Sequence, residues 1–244
     1  MWGHVSLFVR LSVLTVIAIS ATAQDSLNVR RLGQLNYWEI AEDVVVVGNL
    51  AYIAAGYSGL RIVDVTNPAW PFEVGSYDTP GLAHGVAVSG NYAYVADDTS
   101  GLRVVNVTNP AAPSEVGFYN TPGFAKGVVV AGNYAYVADA GSGLRVVNIT
   151  NPAHPVEIGF YDTPGYAEGV AVSGNYAYVA DVDSGLRVVN ISNPVSPTEV
   201  GFCDTPDAAL DVAVSGNYAY VTGWESGLRV VNITNPAVPT EVGF

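Results

Sequence analysis

The chain has 244 residues, of which 50% are hydrophobic and only 13% are charged. Lys and Arg total 9 against 22 Asp and Glu, so the formal net charge is -13, and Cys203 is the single cysteine. This composition excludes a disordered chain and a disulfide-stapled mini-protein, and the acidic balance argues against a nucleic-acid partner. What remains is a chain long enough for one large all-β domain.

The first 23 residues have the pattern of a secretory signal peptide. His4 and Arg10 stand near the start, an apolar run follows over 11–19, and the segment ends in small residues at 20–23. The apolar run is too short to span a bilayer, so we expect cleavage after Ala23 and no membrane span afterwards. The protein is therefore expected to be exported: periplasmic, secreted or associated with the cell surface. Residues 24–30 are interpreted as a lead-in to a domain that covers 31–244.

A repeat of 42 residues organises that domain. Each copy contains an N-[YL]-A-Y segment, a Gly-Leu pair and an Asn-Pro turn, which begin at Asn49, Gly59 and Asn67 in the first copy. Five copies follow one another without an inserted or deleted residue. Such a fixed period indicates a repeat architecture in which each unit buries its faces against its neighbours.

Each copy predicts four short strands. In the second copy they are 85–88 (GVAV), 92–96 (YAYVA), 102–107 (LRVVNV) and 115–119 (EVGFY). The runs are rich in Val, Tyr and Ala and are bounded by Gly, Pro, Asn and Asp, as strands and turns are. Four strands in about 40 residues are typical of a β-propeller blade. We predict an all-β protein, a propeller of five blades with four antiparallel strands each; the alternative is a fragment of a larger propeller.

The repeat unit resembles the LVIVD repeat family. The segment that carries the resemblance is G-L-R-V-V-[ND]-[VI]-[TS]-N-P, and the match covers residues 31–244. The chain departs from the family at one position, where only Asp64 keeps the usual Asp; the other copies carry Asn106, Asn148, Asn190 and Asn232. The resemblance implies a propeller found in exported and cell-surface proteins of bacteria and archaea, and it implies no defined reaction.

The fourth-strand motif occurs once more than the others. Residues 31–35 (RLGQL) align with 73–77, and the last copy stops after 241–244. In one interpretation, a strand near 29–35 closes a five-bladed ring as the outer strand of the last blade, which leaves 241–244 redundant or frayed. In the other, the chain is a piece of a larger propeller. We favour the ring, because the longer N-terminal strand also buries Leu32 and Leu35.

The candidate binding residues lie in the loop that enters the first strand of each blade, where the repeats vary. In propellers this loop lies on one face, close to the axis. Five unlike side chains around a funnel suit a specific binding site, although neutral variation on a solvated loop gives the same pattern. The candidate residues are Glu42, Asp43, His84, Lys126, Glu168, Leu210 and Asp211.

The repeated positions are interpreted as scaffold. The recurrent Arg and Glu that begin with Arg61 and Glu73 suit charge pairs, and the tyrosines that begin with Tyr52 suit packing between blades. The Asn-x-Ser/Thr triplets, which begin at Asn106, fit glycosylation, but backbone turn capping is the favoured explanation.

No catalytic residue, metal or cofactor is assigned. There is no G-x-S-x-G elbow, and the loop at 181–185 (DVDSG) lacks the further ligands of a calcium site. Beyond the leader, His84, His154 and Cys203 are too few and too scattered for zinc.

The favoured function is that of a non-enzymatic, exported β-propeller: a binding or interaction module for an unknown protein or glycan. One alternative is a carbohydrate-active or other hydrolytic enzyme that uses the rim carboxylates Glu42 and Glu168. Another is a structural spacer in a larger surface protein.

Overall fold

The computed structural model describes residues 40–244, which form five antiparallel sheets of four strands each. Blade 1 contains β1 (Asp43–Val47), β2 (Leu50–Ala54), β3 (Leu60–Asp64) and β4 (Phe72–Tyr77). Blade 2 contains β5 (Gly85–Ser89), β6 (Tyr92–Ala96), β7 (Leu102–Asn106) and β8 (Ser114–Tyr119). Blade 3 contains β9 (Gly127–Ala131), β10 (Tyr134–Ala138), β11 (Leu144–Asn148) and β12 (Val156–Tyr161). Blade 4 contains β13 (Gly169–Ser173), β14 (Tyr176–Ala180), β15 (Leu186–Asn190) and β16 (Thr198–Cys203). Blade 5 contains β17 (Ala209–Ser215), β18 (Tyr218–Gly223), β19 (Leu228–Asn232) and β20 (Thr240–Gly243).

The predicted all-β fold of five four-stranded antiparallel blades is confirmed, and the four strands of the second repeat begin and end within one residue of the predicted bounds. The proposed signal peptide, the lead-in and the strand expected near 29–35 lie outside the described residues.

The expectation that residues 241–244 are redundant or frayed is wrong. β20 pairs with β19 through Val230↔Gly243, Val231↔Glu241 and Asn232↔Thr240, in the register of the other fourth strands. The outer edge of blade 5 is therefore already occupied by its own repeat. Phe244 follows the last pair and is 96% exposed, and the guanidinium of Arg229 on β19 lies over its ring at 5.3 Å.

The fourth strands of blades 1 to 4 each carry a bulge and a glycine that fit them against the next blade. In blade 1, Ile62 pairs with Gly75 but Val63 pairs with Glu73, so Val74 is the extra residue. A Cβ on Gly75 would collide with the backbone carbonyl of Pro110 in blade 2. Only glycine allows this approach between the outer strand and the Asn-Pro turn of the following blade.

The hydrophobic core lies between the blades. We call the side of a blade that contacts the following blade its trailing face, and the opposite side its leading face. The trailing face of blade 1 presents Tyr52, Ala54, Leu60 and Ile62, which pack on Val86, Ala93, Val95, Val105 and Val107 of blade 2. The same pattern recurs at the next three interfaces. Tyr52, Tyr94, Tyr136 and Tyr178 are at most 5% exposed there, which confirms that these tyrosines pack between blades.

A short β-bridge on one face joins each blade to the next. Gly56 and Ala83 exchange two backbone hydrogen bonds of 3.1 Å, and three further pairs repeat the bridge: Asp98 with Ala125, Ala140 with Ala167, and Val182 with Ala209. The residue that follows each of these alanines is one of the predicted rim residues. The bridges thus fix the backbone from which the rim side chains project.

Candidate functional site: an axial pocket

A single pocket brings together residues of all five blades. Its cavity is about 100 Å³. It is lined by Glu42, Asp43, His84, Gly85, Lys126, Gly127, Glu168, Leu210 and Asp211. All seven side chains predicted from the variable loops therefore line one cavity at the axis. A binding role for them stays a prediction.

Backbone hydrogen bonds hold the first rim position of each of the first four blades. Glu42, His84, Lys126 and Glu168 each donate their N–H to the carbonyl of an alanine on the neighbouring strand of the same blade, at 2.8–2.9 Å. Each residue extends the ladder between the first two strands by one step. The side chains consequently leave a rigid edge of the sheet and not a free loop.

Asp43 serves the scaffold as well as the rim. The side chain is buried, and its Oδ2 accepts a hydrogen bond of 2.9 Å from the N–H of Val86 in blade 2. Its Oδ1 accepts another from the N–H of Val44. The carboxylate thus caps the start of two first strands, whereas the three following blades have Gly85, Gly127 and Gly169 at this position.

His84, Lys126 and Asp98 form a compact polar cluster at the pocket. Lys126 Nζ lies 3.0 Å from both His84 Nε2 and Asp98 Oδ2, and His84 Nε2 lies 3.0 Å from the same Asp98 oxygen. When the imidazole carries its proton on Nδ1, Nε2 accepts from Lys126. When Nε2 carries the proton, it donates to Asp98. The ring can therefore exchange partners by a change of tautomer.

Burial and the positive charge of Lys126 determine the charge states of His84 and Asp98. Burial and the positive charge of Lys126 hold the pKa of His84 below its ordinary value, against the opposing effects of Asp98 and Glu42. Burial by itself would raise the pKa of Asp98, but hydrogen bonds from Lys126 and His84 and the Lys126 charge outweigh it and lower that pKa. At neutral pH the cluster thus contains a neutral imidazole between an ammonium group and a carboxylate.

The surroundings of Glu168 perturb its carboxyl group. Burial raises the pKa of Glu168, and the charges of Asp98 and Glu42 raise it further, while Lys126 lowers it. Because like charges face one another across a small cavity, the pocket favours a positive charge or a proton. Four carboxylates of the lining (Glu42, Asp43, Glu168 and Asp211) surround the one ammonium group of Lys126.

Sequence reasoning missed Asp98. The signal that could have found it is the variation of its position among the repeats, which reads Gly56, Asp98, Ala140, Val182 and Trp224. Only blade 2, which also carries His84 and precedes the blade of Lys126, has a carboxylate at this position. A second variable loop on the same face therefore contributes to the pocket surroundings.

The Asp that recurs after the second strand of blades 2 to 4 has a structural role. Asp97 accepts hydrogen bonds from Thr79 Oγ1 at 2.5 Å and from the N–H of Gly81 at 2.8 Å, both in the segment that enters blade 2. Asp181, in the loop with the faint calcium pattern, is held in the same way by Thr163 and Gly165. The Asp181 carboxylate is therefore already hydrogen-bonded within the protein. Among residues 40–244, no group of three or more His, Cys, Asp or Glu is placed to hold a metal ion.

The interpretations of the repeated charged and Asn positions are confirmed. Arg103 lies 3.7 Å from Glu115, and its guanidinium also stacks on Phe118 at 4.6 Å; Arg145 and Arg187 repeat both contacts in the next two blades. The Asn106 side chain accepts a hydrogen bond of 2.9 Å from the N–H of Thr108, and the other three triplets repeat it. These asparagines therefore cap turns.

No helix within the described part of the chain is both long and apolar enough to cross a membrane.

Five four-stranded sheets that share an axial pocket define a β-propeller. The family model described as the LVIVD repeat matches residues 40–79, 80–121, 122–163, 164–205 and 207–244. The chain therefore belongs to the LVIVD repeat family, as the sequence resemblance indicated. No curated protein matches the chain.

Solved structures show the same fold at low sequence identity. A functionally unknown protein from Desulfotomaculum acetoxidans DSM 771 aligns with a TM-score of 0.69 at 14% identity, covering 88% of this chain and 75% of its own. The computationally designed Ika8 protein aligns with a TM-score of 0.65 at 10% identity over 81% of this chain. The designed Ika4 protein aligns with a TM-score of 0.53 at 11% identity over 63% of this chain and 92% of its own. The alignment spans 59% of the Ika8 chain.

Proposed function

We propose that this protein is a non-enzymatic, exported binding module that uses its axial pocket to recognise a protein or glycan partner. One observation carries the proposal. The positions at which otherwise regular repeats differ converge from all five blades on one cavity. Rigid blades hold these side chains in place. The rim residues determine which partner binds, and the repeated core stabilises the fold.

The size of the cavity limits what enters it. Pockets that enclose a whole small ligand measure roughly 300–1,000 Å³. A cavity of about 100 Å³ accepts only a terminal group of a larger partner. The partner is therefore a macromolecule or oligomer that inserts one side chain or substituent and rests the remainder on the surrounding face.

The charge of the pocket selects the inserted group. Four carboxylates line the cavity with a single lysine, and the lysine is already paired with Asp98. A primary ammonium group, on a lysine side chain or an amino sugar, balances this charge and can donate three hydrogen bonds. Export is part of the proposal because residues 1–23 have the pattern of a signal peptide.

An array of lysine-containing peptides and amino-sugar glycans tests the proposal. We expect binding by the wild type that the double variant Glu42→Gln/Glu168→Gln weakens at least about tenfold, because each hydrogen bond to a charged group contributes about 1.5–3 kcal/mol. The matched control is Asp183→Asn/Glu225→Gln, which removes the same charge from exposed residues outside the pocket. Equal weakening by both double variants would show a non-specific charge effect and contradict the proposal.

Hydrolysis by rim carboxylates is the second candidate, favoured by the raised pKa of half-buried Glu168. A raised pKa keeps a carboxyl group protonated to a higher pH and so suits a general acid, with Glu42 as the second carboxylate. The test is turnover of pooled polysaccharides by wild type and by Glu168→Gln. Turnover that Glu168→Gln abolishes supports an enzyme, whereas turnover that survives loss of both Glu42 and Glu168 excludes this version of it.

A further inference from the structure

Apolar side chains stand two residues before the rim positions of the first four blades. We call them the apolar collar, and they are Ile40, Leu82, Phe124 and Tyr166. The rim residues that follow them lie in the axial pocket; in the same order these are Glu42, His84, Lys126 and Glu168. Ile40, Phe124 and Tyr166 are 40–43% exposed, and Leu82 is partly exposed. Equivalent positions of four blades thus leave large apolar side chains in contact with solvent.

The backbone places the collar and the rim on the same face. Between each collar residue and its rim residue, blades 2 to 4 have a fully buried alanine of the inter-blade bridges; these are Ala83, Ala125 and Ala167. Because side chains alternate along an extended segment, the residues on both sides of such an alanine point away from the core. Leu82 and His84, for example, share one side of their segment. The collar therefore adjoins the axial pocket on a solvent-facing surface.

Collar side chains lie next to the loops that carry the inter-blade bridges. A Cβ on Gly56 of blade 1 would be 3.7 Å from the Cβ of Ile40 and 4.0 Å from Cδ1 of Leu82. A Cβ on Gly141 of blade 3 would be 3.4 Å from the ring of Tyr166 in blade 4. A collar side chain thus reaches the loop of the preceding blade, so that the apolar surface continues from one blade to the next.

Blade 5 places its large apolar residue in the neighbouring loop. Its own collar position has the small residue Ala208. The N–H of Trp224, in the loop after β18, donates a hydrogen bond of 3.2 Å to the Ala208 carbonyl, and Trp224 is 67% exposed. An exposed aromatic residue therefore accompanies the rim in the last blade as well.

The chemistry of the collar favours a polypeptide partner over a glycan. Exposed apolar surface next to polar residues marks interaction sites, and the cores of protein interfaces are rich in aromatic residues. A sugar presents hydroxyl groups, whose burial costs free energy unless they are hydrogen-bonded. Ile40, Leu82 and Phe124 have no polar side-chain atom to bond them. A lysine with apolar neighbours in a polypeptide matches both the acidic pocket and the surface around it.

We propose that the collar is a docking surface for a polypeptide segment that inserts a lysine into the axial pocket. The apolar residues next to that lysine pack on Phe124, Tyr166 and Trp224. This inference rests on the proposed recognition of an ammonium group, and it adds the class of partner and a second set of contacts. The pocket selects the lysine, and the collar selects the residues beside it in the partner's sequence.

Calorimetric titration of the full chain with two peptides tests the proposal. The peptides are acetyl-Gly-Phe-Lys-Phe-Gly-amide and acetyl-Gly-Ser-Lys-Ser-Gly-amide. We expect the phenylalanine peptide to bind at least about tenfold more tightly, because burial of one phenylalanine side chain corresponds to a factor of that size. The double variant Phe124→Ser/Tyr166→Ser should remove this preference and leave the affinity for the serine peptide unchanged.

The matched control is Phe160→Ser/Phe202→Ser. It removes two aromatic rings that are each 51% exposed but lie on the outer strands β12 and β16. The control variant should keep the preference for the phenylalanine peptide. Thermal melts of both double variants verify that the blades are folded before the affinities are compared.

The outcomes separate the collar from the pocket. Equal affinities for the two peptides, or a preference that survives Phe124→Ser/Tyr166→Ser, would overturn the collar proposal; if Glu42→Gln/Glu168→Gln still weakens both peptides, the ammonium pocket stands. Binding of neither peptide would overturn the pocket and the collar together. A glucosamine trimer that binds more tightly than both peptides and requires Phe124 and Tyr166 would make the collar a glycan surface and contradict the polypeptide assignment.

Discussion

Blade 5 exchanges the positions of an aspartate and a glycine that contact each other in blade 2. In blade 2, Asp97 accepts from the N–H of Gly81, and the same two positions in blade 5 hold Gly223 and Asp207. Asp207 accepts from the Ser226 N–H at 2.8 Å and from the Ser226 hydroxyl. A Cβ on Gly223 would collide with the Asp207 carboxylate. In blade 5 the carboxylate therefore comes from the segment that enters the blade, whereas in blade 2 it comes from the loop after the second strand.

This exchange predicts a reciprocal rescue. Asp207→Gly should destabilise the protein by about 1 kcal/mol, because it removes hydrogen bonds that close the loop. Gly223→Asp alone should also destabilise it, since two carboxylates then compete for one gap. The double variant Asp207→Gly/Gly223→Asp restores the arrangement of blade 2 and should recover most of the stability in urea unfolding. Additive losses in the double variant would show that the two positions do not share a gap.

The pH dependence of stability should report His84. Its pKa in the folded state lies below the ordinary 6.5, first because of burial and then because of Lys126. A depressed imidazole pKa means that the unfolded chain binds the proton more tightly. The contribution of neutral His84 is therefore present above the unfolded pKa and is lost as the pH falls from about 6.5 through the folded pKa.

Calorimetry of the wild type and of His84→Gln between about pH 8 and about pH 5 measures this contribution. The Tm of the wild type should fall more steeply below the unfolded pKa of His84 than that of the variant. Parallel profiles would show that His84 does not titrate in the way the pocket environment implies.

At the scale of the strands, the fourth strands of blades 1 to 4 can approach the next blade only because each has a glycine at the point of contact. Gly117→Ala would place a Cβ against the Pro152 carbonyl and 2.8 Å from the Ala153 backbone. We expect a loss of about 2–3 kcal/mol, the usual cost of overpacking against a backbone that cannot move aside. The matched control is Gly132→Ala, which meets no atom within 4 Å but has a φ of +59°. Gly132→Ala should lower the free energy of unfolding by about 1 kcal/mol from backbone strain alone. Equal losses in the two variants would show that the contact of Gly117 with the next blade does not contribute.

The strands and their order could be predicted from the sequence because the information is local and repeated five times. Valine-rich and tyrosine-rich runs between Gly, Asn and Pro define the strands, and a constant period defines the blades. The convergence of Glu42, His84, Lys126 and Glu168 could be predicted too, since equivalent loops of a ring must face one axis. Their occurrence in one cavity agrees with that expectation.

Other features depend on contacts that no local pattern specifies. The bond of Asp43 to the N–H of Val86 joins two blades, and the position of Asp98 between His84 and Lys126 depends on the inter-blade bridge. The pairing of β20 is a further example. Residues 240–243 pair with β19 in the register that the repeat imposes on every blade, which the count of fourth-strand motifs did not indicate.

The molecule as a whole combines a repeated frame with a varied axis. Four nearly identical apolar interfaces between the blades supply stability, and Arg–Glu pairs join neighbouring strands within the blades. At the axis, unlike side chains line one pocket, for which we propose an ammonium group as the ligand. Substitutions on the frame should therefore change Tm, whereas substitutions of Glu42 and Glu168 should change binding with little change in Tm.

A titration observed by amide and histidine NMR tests this central claim most directly. The probes are Nα-acetyl-lysine methylamide and methyl glucosaminide, with Nα-acetyl-norleucine methylamide as the uncharged control. We predict saturable shifts of the Gly85 and Gly127 amides and the His84 ring with both charged probes. We predict no such shifts with the control probe or in Glu42→Gln/Glu168→Gln. Shifts spread over the outer strands, or pocket shifts that persist in the double variant, would contradict the proposed site.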